Sequence, residues 1–244
     1  MQKATETGGN RTGMQTSPAD AAKMLKEAKG AKPTPGDDSG IIELRTAYIE
    51  DSGPVGSVPP PASAKGAVKA GAKALTGKFA GVFIDRLGER LAFERAGTRL
   101  YQAMITKCKA AGDGEGKQYV KELEHFCDEE LSHFRLVGEC IEQLGGDPTA
   151  QTPSADVAGM EGAGLMQVVT DPMTSVTQSL HAILVAELAD NAAWDELIAL
   201  AKEMGQDDMA SRFTEAQQRE REHLDKVRAW HQEATLSESR LMKA

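Results

Sequence analysis

From residue 79 onward, apolar residues recur at alternating intervals of three and four along four separate stretches, and each stretch carries a glutamate near its middle. The first reads Ile84, Leu87, Leu91, Glu94, Thr98, Tyr101, Ile105, Cys108, and the second Tyr119, Leu123, Phe126, Glu130, His133, Val137, Cys140, Leu144. The third is Leu180, Leu184, Glu187, Asn191, Trp194, Ile198, Ala201, and the fourth Met209, Phe213, Ala216, Glu220, His223, Val227, Trp230. This spacing puts one apolar seam on each of four long helices, which must cover one another's seams. The expected fold is all-α, a four-helix bundle over residues 79–236.

The breaks between stretches set the topology. Gly112-Asp113-Gly114 turns the chain after the first helix, and Gly145-Gly146-Asp147-Pro148 stops the second. About 25 residues then precede the third helix, too many for a hairpin, so one long crossover between helices 2 and 3 is expected. Asp171-Pro172 reads as the cap and first-turn proline of the third helix, Gly205 ends it, and the fourth fades near Thr235.

The offsets from these turns put the polar seam residues at one height. Glu94 lies 19 residues before Asp113, and Glu130 and His133 lie 17 and 20 after it. Glu187 lies 18 before Gly205, and Glu220 and His223 lie 15 and 18 after it. In antiparallel hairpins equal offsets mean equal height, so all six side chains are expected in a single layer. Each Glu-x-x-His places a carboxylate and an imidazole one turn apart on one face. Two such pairs plus a lone Glu on each of two other helices form the ligand set of a two-metal site in a bundle. Four carboxylates buried together repel and lose hydration. Two divalent cations neutralise them, and iron or manganese accepts mixed carboxylate and imidazole ligation. Glu130 and Glu220 are expected to be shared, with Glu94 and His133 completing one ion and Glu187 and His223 the other.

Residues off the seams are assigned no ligand role. His125, His181 and His231 are expected at the surface or flanking the site, Glu129 and Glu222 in solvent, and Trp194 and Trp230 in the core. Cys108, Cys127 and Cys140 contain no C-x-x-C pair, which excludes a rubredoxin-type or zinc-ribbon site and fits reduced thiols. A net charge of −9 argues against nucleic acid as a partner. No apolar run approaches the ~18 residues of a membrane span, and no signal-peptide core is present. A cytoplasmic protein without membrane association is expected.

Residues 1–78 differ in texture. They hold eleven Lys/Arg against eight Asp/Glu, so the acidity lies in the remainder. The segment reads as a largely disordered leader with a short helix from Ser17-Pro18 to Gly30, an extended apolar docking stretch at 41–49, and a Pro-rich linker. The linker runs into an Ala/Lys/Gly tract with Lys65, Lys69 and Lys73. A protein partner for the leader is one reading and a solvated linker the other. Residues 237–244 read as a tail.

On Glu94 with Tyr101 seven residues later, Glu130-x-x-His133, Glu187 and Glu220-x-x-His223, residues ~79–236 resemble the ferritin-like superfamily, the rubrerythrins more than the cage-forming ferritins. The resemblance implies two iron ions held by Glu94, Glu130, His133, Glu187, Glu220 and His223. It also implies a peroxidase or ferroxidase activity on hydrogen peroxide or dioxygen with an unidentified electron donor. Asp190 stands where rubrerythrins carry a second third-helix carboxylate, one methylene shorter here. Tyr101 is placed to donate a hydrogen bond or an electron, or simply to pack. No rubredoxin module and no fifth helix after residue 236 accompany the bundle, which argues against bulk iron storage. Two other readings stand beside it: a manganese catalase-like enzyme with nearly the same ligands, and a metal-stabilised scaffold, dimeric through its bundle surface, that acts through its leader.

Overall fold

A computed structural model describes residues 17–32, 36, 38–60, 80–111 and 116–241, and all regular structure among them is helical. The helices are α1 (Pro18–Ala28), α2 (Ser39–Asp51), α3 (Ala80–Ala110), α4 (Val120–Gln143), α5 (Pro153–Thr170), α6 (Val176–Glu203) and α7 (Asp207–Leu241). The described chain divides into two units, one ending at Gly53 and containing α1 and α2, the other comprising the chain from Pro54 onward.

In the larger unit α3 pairs with α4 and α6 with α7, and α3 packs beside α6. The four predicted seams are the buried faces: Leu87, Leu91, Ile105, Leu123, Val137, Leu180, Ile198, Phe213 and Val227 all lie in the core. These residues form two apolar clusters. One gathers around Leu100, Met104, Phe126, Leu180 and Val227, the other around Phe83, Leu87, Val137, Trp194 and Phe213.

The breaks after α4 and α6 are built as helix stops, while the expected turn Gly112-Asp113-Gly114 lies outside the described residues. Gly145 (φ 84°) and Gly205 (φ 65°) adopt the left-handed conformation that a side chain disfavours. Gly146 N–H then donates to Ile141 O at 2.9 Å, and Gln206 N–H to Ala201 O at 2.8 Å. These bonds satisfy carbonyls that the last turns of α4 and α6 leave over.

The sequence left the form of the crossover open, and two helix ends fall elsewhere than expected. The crossover is itself helical: α5 lies along α3 and touches α6. It is capped by Thr152, whose Oγ1 accepts from Ala155 N and which sits buried against α3. The third bundle helix starts later than Asp171-Pro172, at a Ser175–Gln178 capping box with reciprocal bonds of 2.9 and 2.8 Å. The last helix continues through the expected tail to Leu241, because no Gly or Pro interrupts the sequence there.

The leader also departs from its reading. The short helix appears as α1, but residues 41–49 are not extended; they lie within α2. Leucine, glutamate, arginine and alanine in that stretch favour helix. Ile42, Tyr48 and Ile49 remain exposed. Part of the linker is anchored, since Ser57 N–H donates to Gln151 O at 3.2 Å. Lys65, Lys69 and Lys73 lie outside the described residues. No described helix is long and apolar enough to cross a membrane.

Candidate metal centre

Between the two apolar clusters lies a layer of buried charge. Glu94 on α3, Glu130 and His133 on α4, Glu187 on α6, and Glu220 and His223 on α7 are all buried. Potential ligand atoms of Glu130, Glu187, Glu220 and His223 fall within 4.8 Å of one another, and so do those of Glu94, His133 and Glu220. Glu220 belongs to both groups. The structure thus brings together all six seam residues and pairs Glu94 with His133 and Glu187 with His223. Glu130 enters one group only.

The hydrogen bonding around the layer is incomplete in a telling way. Both oxygens of Glu94 and of Glu220, one oxygen of Glu187, and Nδ1 of His133 and of His223 are buried without a hydrogen-bond partner. His223 Nδ1 lies 3.0 Å from Glu220 Oε2, but without hydrogen-bond geometry. Some of these atoms touch one another or Arg90: His133 Nδ1 and His223 Nδ1 lie against Glu220, and Arg90 Nε against Glu94 Oε1. Buried polar atoms are almost always well satisfied, and cations would complete the partners of this layer.

Electrostatics point the same way. Burial and the neighbouring charge of Asp190 push the Glu94 carboxyl well above the ordinary range despite Arg90. Burial and the charge of Glu220 do the same to Glu187, and to a lesser degree to Glu130. Glu220 goes the other way. Burial would raise it, but His133 and His223 outweigh that and hold it at about 2. Burial would lower His223, yet Glu129, Glu130 and Glu220 raise it. Glu94, Glu187 and Glu130 are thus pushed toward their protonated forms, and divalent cations would replace those protons. The donor set of four carboxylates and two imidazoles fits iron or manganese.

Around the layer stand residues that fix its members. His223 Nε2 donates to Glu129 Oε2 at 2.9 Å, and Arg219 holds the other Glu129 oxygen at 3.0 Å. Glu129 is therefore not solvated as its sequence position implied. The bond from His223 keeps its carboxyl below the usual range. Tyr101 OH donates to Glu187 Oε1. Asn191 Nδ2 donates to the backbone oxygens of Glu187 and Glu220, 3.0 Å each, tying α6 to α7 at site height. Phe126 lies over the His223 ring at 4.0 Å between centroids, and Trp194 meets His133 edge-on at 5.7 Å.

Asp190 is placed differently from its six companions. It is buried, but it faces Arg90, whose Nη1 is 2.8 Å from Asp190 Oδ1 and whose Nε is 3.0 Å from Glu94 Oε1. It joins neither group of ligand atoms. Arg90 had no role in the sequence reading, although its place one turn before Glu94 could have marked it. His125 is exposed, and His181 and His231 pair with each other at 5.4 Å away from the layer. Cys108, Cys127 and Cys140 are free thiols.

A family model for the ferritin-like domain matches residues 84–237, well over half of the chain. The chain belongs to the ferritin-like domain family. No curated protein and no solved structure matches it. The matched span runs from the first turn of α3 almost to the end of α7, and so takes in every member of the buried layer of this ferritin-like bundle.

Proposed function

We propose that this ferritin-like protein holds two iron ions and reacts as a rubrerythrin-like peroxidase or ferroxidase, reducing hydrogen peroxide or dioxygen with electrons from an external donor. The observation that supports it is the shared layer: two groups of buried ligand atoms joined at Glu220, with seven polar atoms that make no well-formed hydrogen bond. When bound, a pair of Fe(II) ions supplies two electrons, which with two protons suffice to convert hydrogen peroxide to two waters.

The chain's own residues prepare that chemistry. Glu129 orients His223 and fixes its proton at Nε2, leaving Nδ1 turned toward Glu220 and Glu130. Tyr101 holds one Glu187 oxygen while the other faces the cluster. Burial and the Glu187 charge hold the Tyr101 hydroxyl well above its usual pKa, so it stays protonated as a hydrogen-bond donor. Phe126 and Trp194 exclude water from two sides. Three free thiols fit a reducing, cytoplasmic setting.

Manganese in the same ligands, with a catalase-like reaction, is the rival within the same site. A second reading draws on α2, whose exposed Ile42, Tyr48 and Ile49 favour a leader that binds a protein partner, with the bundle as a dimeric scaffold. One experiment separates them. Iron and manganese are measured per chain, and peroxide is added to the Fe(II)-loaded protein while near-ultraviolet absorbance is followed. A ferric absorbance rise supports the di-iron reading, and oxygen gas evolved from a manganese form supports catalase. Bound metal with no spectral response supports the scaffold.

A further inference from the structure

Glu130 reaches its group of ligand atoms through a space made by the facing helix. Gly97 on α3, three residues after Glu94, is buried against α4. A Cβ placed there would lie 2.1 Å from Glu130 Oε2 and 3.0 Å from its Cδ. Carbon and oxygen do not approach to that distance without something moving. The next nearest atom, at 3.8 Å, is also in the Glu130 side chain, so no backbone stands in the way of a methyl group. What a methyl would displace is the carboxylate.

The backbone gives glycine no reason to be there. Gly97 lies inside α3, and the glycines with positive φ are Gly56, Gly145 and Gly205. In a helix interior glycine is less favourable than alanine. A residue that weakens its own helix and faces a buried carboxylate is explained by the room it leaves.

We propose that Gly97 is a positioning residue for the centre: its missing side chain sets where the Glu130 carboxylate sits, and so whether Glu130, Glu187, Glu220 and His223 can close on a cation. This inference rests on the metal reading given above. It deepens that reading by assigning one half of the centre a steric requirement on α3 that the other half, Glu94 with His133 and Glu220, does not share.

The test is Gly97→Ala in the full chain, loaded with Fe(II) or Mn(II) under anaerobic conditions. Ions per chain are counted, and the melting temperature is read in excess chelator. The wild-type chain is expected to hold two ions and Gly97→Ala one. In chelator the variant should melt at or above the wild-type temperature, because alanine favours the helix. A variant that holds two ions at wild-type affinity overturns the inference while leaving the metal reading intact. A wild-type chain that binds none overturns both.

The Glu130→Ala background supplies a control, since it has no carboxylate to displace. There Gly97→Ala should leave the affinity for the remaining ion unchanged. An equal loss in both backgrounds would mean that the methyl acts through something else, and the inference fails. If Gly97→Ala alone does not fold, folding restored in the double variant supports the assignment, and a double variant that also fails to fold overturns it.

Discussion

Glu129 Oε2 accepts a hydrogen bond from His223 Nε2 at 2.9 Å, across the gap between α4 and α7. The adjacent residue, Glu130, faces the ligand cluster. Two neighbouring carboxylates on one helix thus do different work, one turned into the layer and one steering an imidazole from behind. Carboxylate partners of this kind orient metal-binding imidazoles and raise their basicity.

Glu129→Ala should therefore weaken metal binding by about 10–100-fold without changing the number of ions held. Competition with a chelator of known affinity measures the change. Unaltered affinity would show that the His223 ring is oriented by Phe126 packing alone.

Glu220 contributes to both groups of ligand atoms, whereas His223 contributes to one. Glu220→Ala is expected to impair both ions and His223→Ala to remove one, by metal analysis of the purified chains. Wild-type occupancy in both variants would take α7 out of the site.

Arg90 is buried between Glu94 and Asp190. Arg90→Met strands both carboxyls without their cation, and should cost about 3–5 kcal/mol in chemical denaturation, the usual penalty for breaking a buried pair from one side. Adding Asp190→Leu should recover part of that loss. A single variant as stable as the wild type would show that water or another group already compensates Asp190.

Acid sensitivity has an identifiable contributor outside the buried acidic layer. Burial would raise the Asp85 carboxyl, but Ser154 outweighs it, donating from Oγ at 2.7 Å and from its backbone N–H at 2.9 Å, and the pKa is lowered. A carboxyl lowered on folding stabilises above its unfolded pKa of about 3.9, and that contribution is lost as pH falls through the folded value. Ser154→Ala should cost on the order of 1 kcal/mol at neutral pH, since the site is partly exposed. The gap from wild type should close in acid. Denaturation at pH 7 and pH 2.5 reads both, and a gap that persists at pH 2.5 would sever it from Asp85 ionisation.

The six clustered residues were legible in the sequence because two simple periodicities coincide there. Three-and-four spacing decides which face is buried, and distance from a turn decides height. Neither rule reaches a residue such as Glu129, which lies off the seam and is drawn inward by a neighbour on another helix. Arg90 was within reach of the spacing rule, but a lone arginine beside a seam usually keeps its charge in solvent. The opposing Asp190, together with Glu94, explains its burial. The form of the crossover was harder to read, because Gly159, Gly162 and Gly164 lower the helix propensity of α5. Packing along α3 stabilises the helix despite them, and a Cβ added at Gly162 would meet Ala96 at ordinary contact distance. The stretch at 41–49 shows the opposite error, where apolar residues without a clear period concealed plain helix propensity.

The helical crossover makes the two sides of the bundle unlike. α5 lies along α3, whereas α4 and α7 are joined mainly through long side chains, and beside them a groove of about 400 Å³ is lined by Ser132, His133, Arg135, Glu139, Arg212, Glu215 and Arg219. His133 is 6% exposed and the other five members of the layer 0–3%. The member of the layer that lines this groove is thus an imidazole, and three guanidinium groups and two carboxylates stand beside it.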